Sequence, residues 1–277
     1  MPDRVTVAAW RNEKIVIEME DLLICNEDRL RENVALAACT QISDNHILRL
    51  PEWIEYHREI GFELFYIYLD SPNVDVYRKL LESYMQRHPG LIEIVPFYFQ
   101  TGRRAQLAHQ FDCTKRMKGI AKYVATFDVD EFIQPMGDWT LLSFLSDKFN
   151  NDQKLGGIYF DSISFGSSNN SNPPDGYSLF IENFTQRMTK APTRRQHKGI
   201  FMADRVVYTH MHYMSSGEKF IDANFSKEVR INHYRYPHHH FAWDDKHVVE
   251  DESLANLFSE PIKTELRKSG YFIIDAS

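Results

Sequence analysis

The sequence predicts an α/β fold in which a mainly parallel sheet, flanked by helices, is followed by a mixed, loop-rich C-terminal half. From about residue 33, short apolar segments of strand type alternate with segments of helical spacing. This alternation is typical of parallel strands joined by helical crossovers. Hydrophobic residues make up 43% of the 277 residues and charged residues 26%, a balance that allows a buried core. The sequence has no internal repeat and no long Gly- and Ser-rich linker, so we predict one domain over residues 1–277.

The first half contains strand and helix segments in strict alternation. Strands are predicted at 34–40, 63–69, 91–97 and 123–129. The first intervening helix begins at Pro51, which suits a first helical turn because proline has no N–H there to leave unpaired, and it ends at Gly61. The second and third helices are predicted over 75–88 and 103–119. Ligands of such sheets bind at the carboxyl ends of the strands, where we expect the functional site.

The pattern changes after Asp130. A helix is predicted over 139–149 and an alternating strand over 157–165. Residues 166–176 (GSSNNSNPPDG) consist of turn-forming residue types and predict a surface loop. Further strands are predicted at 179–184, 206–212 and 229–234, before a polar, helical tail from Asp244.

The net charge argues against nucleic acid as the main ligand. Lys and Arg number 32 against 39 Asp and Glu, which gives a formal charge of −7. An acidic protein gains no counterion-release energy from a phosphate backbone unless its basic residues are clustered. One small cluster exists, formed by Lys190, Arg194, Arg195 and Lys198, and it is either a site for an anionic ligand or a solvated loop.

The cysteines and the N-terminus indicate the compartment. Cys25, Cys39 and Cys113 are odd in number and widely spaced, which suits neither a zinc site nor a disulfide framework and favours a reducing compartment. No apolar run approaches the roughly 18 residues of a transmembrane helix, and residues 1–19 are charged throughout, unlike a signal peptide. We therefore expect a cytoplasmic protein, or a soluble chain without its secretory anchor.

The segment most informative about chemistry is YVATFDVDEF, residues 123–132, in which an apolar strand ends in three carboxylates. Strand alternation predicts that Asp128 and Asp130 lie on the same side, with Val129 turned into the core. Two like charges at this spacing are tolerated if they are solvated, protonated or neutralised by a cation. A hard divalent ion such as Mn²⁺ or Mg²⁺, shared with a substrate phosphate, would neutralise them, and an acidic turn without a metal is the alternative.

Two further segments carry candidate ligands. In VRINHYR, residues 229–235, His233 could complete a metal shell and Arg235 could contact a diphosphate, unless both are ordinary surface groups. The three histidines of 238–240 are interpreted as a solvated loop, because consecutive side chains do not all point to one ion.

Four segments, in order, resemble those of the metal-dependent glycosyltransferases with the GT-A fold, and most closely glycosyltransferase family 92. They are LPEWIEYHREIGFELFYIYLDS (50–71), YVATFDVDEFI (123–133), ISFGSS (163–168) and NHYR (232–235). The resemblance covers about residues 35–235. It implies a single GT-A type, Rossmann-like domain, in which 34–135 bind the nucleotide sugar and 136–245 bind the acceptor, with 1–33 and 246–277 as appendages.

The resemblance also implies the roles of individual residues. Asp128, Asp130 and His233 would hold Mn²⁺ or Mg²⁺ against the diphosphate of a nucleotide sugar, UDP-linked by analogy, and galactose is the sugar that the family suggests. The donor would also contact Asp128 and four further residues, Thr40, Asp70, Lys198 and Arg235. The acceptor would be a glycan or glycoprotein. Asn45-His46 and Leu69-Asp70 depart from the family pattern where the nucleotide base and ribose are expected to lie.

Such enzymes invert the anomeric carbon, which requires a carboxylate to take the proton of the attacking hydroxyl. Candidates for this base are Asp161, Asp175 and Glu131, with a slight preference for Asp161. Two other functions remain open at this point: a metal-dependent phosphohydrolase or nuclease using the same acidic strand end, and a non-catalytic module that binds a nucleotide or a sugar.

Overall fold

The structure is a computed structural model that describes residues 4–11, 14–23, 33–98, 103–166, 179–189, 198–210, 213–215, 219–234 and 247–271. The chain divides into two compact units, residues 1–32 and 33–277. In the smaller unit, strands β1 (Arg4–Arg11) and β2 (Lys14–Leu23) form an antiparallel hairpin. The sequence pattern gave no prediction for this hairpin.

The larger unit contains helices between and after its strands. The strands are β3 (Val34–Ile42), β4 (Leu64–Leu69), β5 (Ile92–Pro96), β6 (Ala121–Thr126), β7 (Glu131–Pro135), β8 (Leu155–Phe160), β9 (Ser162–Gly166), β10 (Gln186–Met188), β11 (Lys198–Met202), β12 (Tyr208–His210), β13 (Tyr213–Ser215), β14 (Lys219–Asp222), β15 (Val229–Tyr234) and β16 (Val248–Glu250). The helices are α1 (Leu50–Glu59), α2 (Val74–Arg87), α3 (Arg103–Arg116), α4 (Leu141–Asn151), α5 (Phe180–Asn183) and α6 (Ser253–Lys268), and a 3₁₀ helix, Asp44–Arg49, precedes α1.

The main sheet has seven strands in the order β14-β8-β11-β6-β3-β4-β5. Strands β6, β3, β4 and β5 are parallel, whereas β11 is antiparallel to both of its neighbours. Alternate residues of β3 enter different core clusters: Leu36 and Ala38 pack on one face of the sheet, and Ala37 and Cys39 on the other. The α/β class and the parallel first half are therefore confirmed.

A second, mixed sheet has the order β16-β10-β9-β15-β7. Strand β15 runs parallel to β9 and antiparallel to β7, and His233 on β15 lies opposite Glu131 on β7. This pairing joins the NHYR segment to the acidic segment that follows β6. The loop-rich second half thus contributes directly to the carboxyl edge of the parallel strands.

Several elements differ from their predictions. Strand β6 ends at Thr126, and the acidic residues that follow lie in a turn. The strand predicted over 179–184 is wrong, because residues 180–183 form the short helix α5. Helix α6 does not stand apart as an appendage: Leu254, Ile262 and Leu266 are buried in the main core. Helix α1 ends close to Gly61 as predicted, and Gly61 has φ 106, a conformation that favours glycine.

The expectation that the cysteine spacing excludes a disulfide is wrong. Cys39 on β3 and Cys113 on α3 form a disulfide with Cα atoms 6.3 Å apart. The 74 residues between them hid the pairing, because only the packing of α3 against the sheet brings the two positions together.

Within the described part of the chain, no helix has the length and apolar character needed to cross a bilayer.

Candidate active site

Three predicted site residues lie at the carboxyl ends of neighbouring parallel strands. Thr40 is near the end of β3, Asp70 directly follows β4, and Asp128 lies two residues after β6. The backbone N–H of Asp70 donates to the carbonyl of Ile42, which keeps the two strand ends together. Thr40 is fully buried, and its hydroxyl has no hydrogen-bond partner among the described residues. These positions agree with the edge at which the strand pattern predicted a site.

The acidic residues lie in a tight turn between β6 and β7. The N–H of Glu131 donates to the carbonyl of Asp128 at 3.0 Å, and the N–H of Tyr234 donates to the carbonyl of Asp130 at 2.8 Å. The second bond ties the turn to the end of β15. Val129 is buried as predicted, but Asp128 and Asp130 contact different partners.

Asp130 and His233 meet across this junction. Asp130 Oδ2 lies 3.3 Å from His233 Nε2, and Arg49 Nη1 lies 3.9 Å from the same oxygen. Burial favours the protonated carboxyl, but the positive charges of His233 and Arg49 and the hydrogen bond to His233 outweigh it and hold the pKa of Asp130 below its usual range. Asp130 is therefore ionised at neutral pH.

The donor set at this junction fits one divalent cation with two protein ligands. Asp130 Oδ2 and His233 Nε2 are in direct contact at 3.3 Å, so they would bind an ion by exchanging this contact for bonds to the metal, with loss of the imidazole proton. A carboxylate oxygen is a ligand that Mn²⁺ and Mg²⁺ accept, and an imidazole nitrogen also binds divalent transition metals. The described residues contain no group of three or more His, Cys, Asp and Glu side chains able to hold an ion, so this pair is not part of a larger ligand group there.

Lys198 neutralises the other two acids of the turn. It begins β11, whose antiparallel pairing with β6 brings its Nζ to 3.0 Å from Asp128 Oδ2 and 3.4 Å from Glu131 Oε2. Burial disfavours the lysine charge, but the two carboxylates outweigh burial and raise the pKa of Lys198. Asp128 therefore has a cationic partner in the protein, as Asp130 has in His233 and Arg49.

Glu131 is held on both of its oxygens. Oε2 accepts from the backbone N–H of Asp128 at 2.8 Å, and Oε1 lies 3.6 Å from His233 Nδ1. Burial raises the pKa of Glu131, although the charge of Lys198 opposes this effect. The side chain is 2% exposed, so its geometry suits a residue that shapes the turn rather than a base that reaches an acceptor.

The structure locates the remaining predicted site residues only in part. Asp161 lies between β8 and β9, and its carbonyl accepts from the N–H of Ile231 at 3.0 Å, which puts it near the same sheet junction. Asp175 and Arg235 lie outside the described residues, as do the histidines of 238–240 and the basic residues 190, 194 and 195.

Sequence reasoning missed Arg49 and Glu52, which connect the turn to α5. The Arg49 guanidinium lies 4.2 Å from the ring centroid of Phe180, and Glu52 accepts hydrogen bonds from the N–H groups of Phe180 and Ile181 at 2.8 and 3.1 Å. The two acidic oxygens thus satisfy the first turn of α5, where backbone donors have no helical partner. The sequence separation of about 130 residues left no local pattern that could reveal this contact.

We predict that Glu52 makes stability depend on pH. Burial raises the pKa of Glu52 to about 7 from 4.5, so the folded state binds a proton more tightly than the unfolded state. This contribution is fully present below about pH 4.5 and is lost as the pH rises through 7. Relative to Glu52→Gln, the wild type should lose roughly 3 kcal/mol of unfolding free energy between these limits, measured by urea denaturation. Parallel pH profiles for the two proteins would contradict this assignment.

Comparison with known proteins identifies the family. Residues 32–269 match the sequence profile of Glycosyltransferase family 92, which is most of the chain. The chain belongs to glycosyltransferase family 92. The resemblance drawn from the four sequence segments is therefore confirmed.

Two curated members of family 92 are similar to this chain. A protein of Ricinus communis is 27% identical over 207 residues, covering 73% of this chain and 35% of the relative. A protein of Oryza sativa subsp. japonica is 26% identical over 227 residues, covering 80% of this chain and 36% of the relative. The chain spans about a third of the length of these relatives.

One solved structure is distantly similar to this chain. It is the mannosyltransferase PcManGT from Pyrobaculum calidifontis in complex with GDP-Man and Mn²⁺, with a TM-score of 0.41 and 12% identity, covering 76% of this chain and 58% of that one.

Proposed function

We propose that this family 92 chain transfers a sugar from a UDP-sugar to a hydroxyl of a glycan, with inversion at the anomeric carbon. The observation that carries the proposal is the meeting of Asp130 Oδ2 and His233 Nε2, 3.3 Å apart, at the sheet edge where Thr40 and Asp70 also lie. A family 92 chain with an acid and an imidazole at this edge is suited to bind a nucleoside diphosphate through a divalent cation.

The residues at this sheet edge have different proposed roles. Asp130 and His233 would hold Mn²⁺ or Mg²⁺, which when bound stabilises the negative charge that develops on the diphosphate leaving group. Lys198 keeps Asp128 and Glu131 neutralised and the turn closed. The buried hydroxyl of Thr40 and the carboxylate of Asp70 are our candidates for contacts to the nucleoside.

The acceptor hydroxyl needs a base, which we assign to Asp161 or Asp175. Asp161 precedes β9, and Ser162 at the start of that strand has its Oγ 3.5 Å from His233 Nδ1. A base close to the metal ligand would face a sugar held by its diphosphate. Galactose is our proposed sugar, on the strength of the family alone.

A hydrolase with two metal ions is not favoured. Such sites use a larger set of acidic ligands, and the described residues offer no group of three or more potential ligands. A non-catalytic module would bind the same nucleotide without turnover, so measurement of transfer separates it from the enzyme.

The disulfide is evidence for the compartment in which the chain folds. Cys39 and Cys113 are both fully buried and bonded, and disulfides persist in oxidising compartments. We therefore propose that the chain folds in an oxidising compartment and not in the cytoplasm.

A thermal-shift panel tests the donor class. UDP, GDP and their sugars are each added with Mn²⁺ or with a chelator. At a ligand concentration about 100-fold above the dissociation constant, binding stabilises a protein by about 2.7 kcal/mol, or roughly 5 to 10 °C for a chain of this size. We expect this rise for UDP only when Mn²⁺ is present. An equal rise in chelator would show that nucleotide binding needs no metal and would overturn the proposed role of Asp130 and His233.

A further inference from the structure

Helix α1 contacts the edge of β7 that has no strand neighbour among the described residues. Strand β7 is the last strand of the second sheet and pairs with β15. Its other edge is buried, and buried backbone N–H and C=O groups need hydrogen-bond partners. The partners come from side chains of the EWIEYH segment, which contributed to the family resemblance but received no role in the proposed reaction.

Three side chains of α1 make these bonds. Trp53 Nε1 donates to the carbonyl of Glu131 at 3.0 Å, and Tyr56 Oη donates to the carbonyl of Ile133 at 2.7 Å. The N–H of Ile133 donates to His57 Nε2 at 3.3 Å. Together they replace the missing strand along the beginning of β7.

His57 has a defined protonation state in this arrangement. Its Nε2 accepts from Ile133, so Nδ1 carries the proton and donates to the carbonyl of Trp53 at 2.7 Å. Burial lowers the pKa of His57 to about 3. The ring is therefore neutral across the working pH range and acts as a fixed donor and acceptor.

The same helix reaches the strand that carries His233. Arg49, at the N-cap of α1, donates from Nη1 to the carbonyl of Tyr234 at 2.9 Å, and this nitrogen is also the one near Asp130 Oδ2. Helix α1 thus holds the backbone directly after Asp130 and the backbone directly after His233.

We propose that Trp53, Tyr56 and His57 are positioning residues, which set the backbone of 131–133 so that Asp130 meets His233. The proposal rests on the proposed function for its catalytic consequence. A displacement of reacting groups by about 1 Å can reduce a rate about 100-fold, so a small shift of this strand would be measurable.

The test compares two buried tyrosines. Tyr56→Phe removes the donor to Ile133 and keeps the ring, whereas Tyr84→Phe removes an equally buried hydroxyl that donates to Glu55, away from β7. Both variants lose one buried hydrogen bond, and Tyr84→Phe should lower the melting temperature at least as much as Tyr56→Phe because its acceptor is a carboxylate. Only Tyr56→Phe should lower kcat with Mn²⁺ and UDP-sugar, by about tenfold, and raise the Mn²⁺ concentration for half-activation, with little change in KM for the donor.

Amide hydrogen exchange on the metal-free protein gives a readout that does not depend on activity. We expect faster exchange in residues 131–135 of Tyr56→Phe than of Tyr84→Phe, and the same result for Trp53→Phe, which removes the indole donor to Glu131. Equal exchange in β7 and equal kcat for both tyrosine variants would overturn the positioning role. If the wild type transfers no sugar, the proposed function fails, whereas the exchange comparison still decides whether α1 fixes β7.

Discussion

The substitution Asp130→Asn is expected to reduce metal-dependent sugar transfer by more than about 100-fold. This loss is typical of removing a group that stabilises transition-state charge. The substitution keeps the shape of the side chain and removes its negative charge. Asp130 is held ionised beside His233 and Arg49, so the variant loses an anionic ligand that is present at every working pH. The measurement is kcat for release of nucleoside diphosphate from UDP-sugar in the presence of Mn²⁺ and acceptor.

The matched control for this variant is Asp152→Asn. Asp152 forms an ion pair with Lys219 at 2.7 Å, and it lies at the end of α4, outside the acidic turn. This variant should transfer sugar at the wild-type rate. If Asp130→Asn retained transfer within threefold of that control while folding normally, Asp130 would not be a ligand of the ion.

Reduction of the Cys39–Cys113 disulfide is expected to lower the free energy of unfolding by about 4 kcal/mol, from the chain entropy of a closed loop of this length. The cross-link joins the strand that carries Thr40 to helix α3, so the unfolded chain loses much of its freedom when the bond is present. Urea denaturation of the oxidised protein, of the dithiothreitol-treated protein and of Cys39→Ala/Cys113→Ala measures the difference.

The single variant Cys25→Ala serves as the control for this experiment, because position 25 takes no part in the Cys39–Cys113 bond. It should leave the midpoint unchanged. Identical urea midpoints for the oxidised and the reduced wild type would mean that the bond does not form in the protein in solution.

The parallel half of the fold was predictable because its determinants are local. The parallel strands β3 to β6 are apolar segments bounded by turn residues, and helices such as α1 have their own start or stop residues, Pro51 and Gly61. Strand β7 was not predicted. The short segment 179–184 was predicted wrongly as a strand. The first N–H groups of α5 donate to the two oxygens of Glu52, a contact about 130 residues away that no local pattern reveals.

The candidate site was predictable in its residue types but not in its pairings. Asp130 and His233 were proposed as ligands from their chemistry, and the structure brings them together. The contact between Asp128 and Lys198 depends on the antiparallel pairing of β11 with β6, which a separation of 70 residues conceals. The bonds from α1 to β7 were also hidden by sequence separation. In addition, aromatic residues in a helix are more often core residues than hydrogen-bond donors.

The most direct test of the account is pulsed electron paramagnetic resonance of Mn²⁺ bound to the protein with UDP. The protein is labelled with ¹⁵N-histidine, so that nitrogen and phosphorus couplings to the ion can be measured in one sample. We predict a ¹⁵N coupling that disappears in His233→Ala, together with a ³¹P coupling from the diphosphate. Mn²⁺ that showed the phosphorus coupling of UDP but no histidine nitrogen would contradict the claim that Asp130 and His233 hold the ion against the donor.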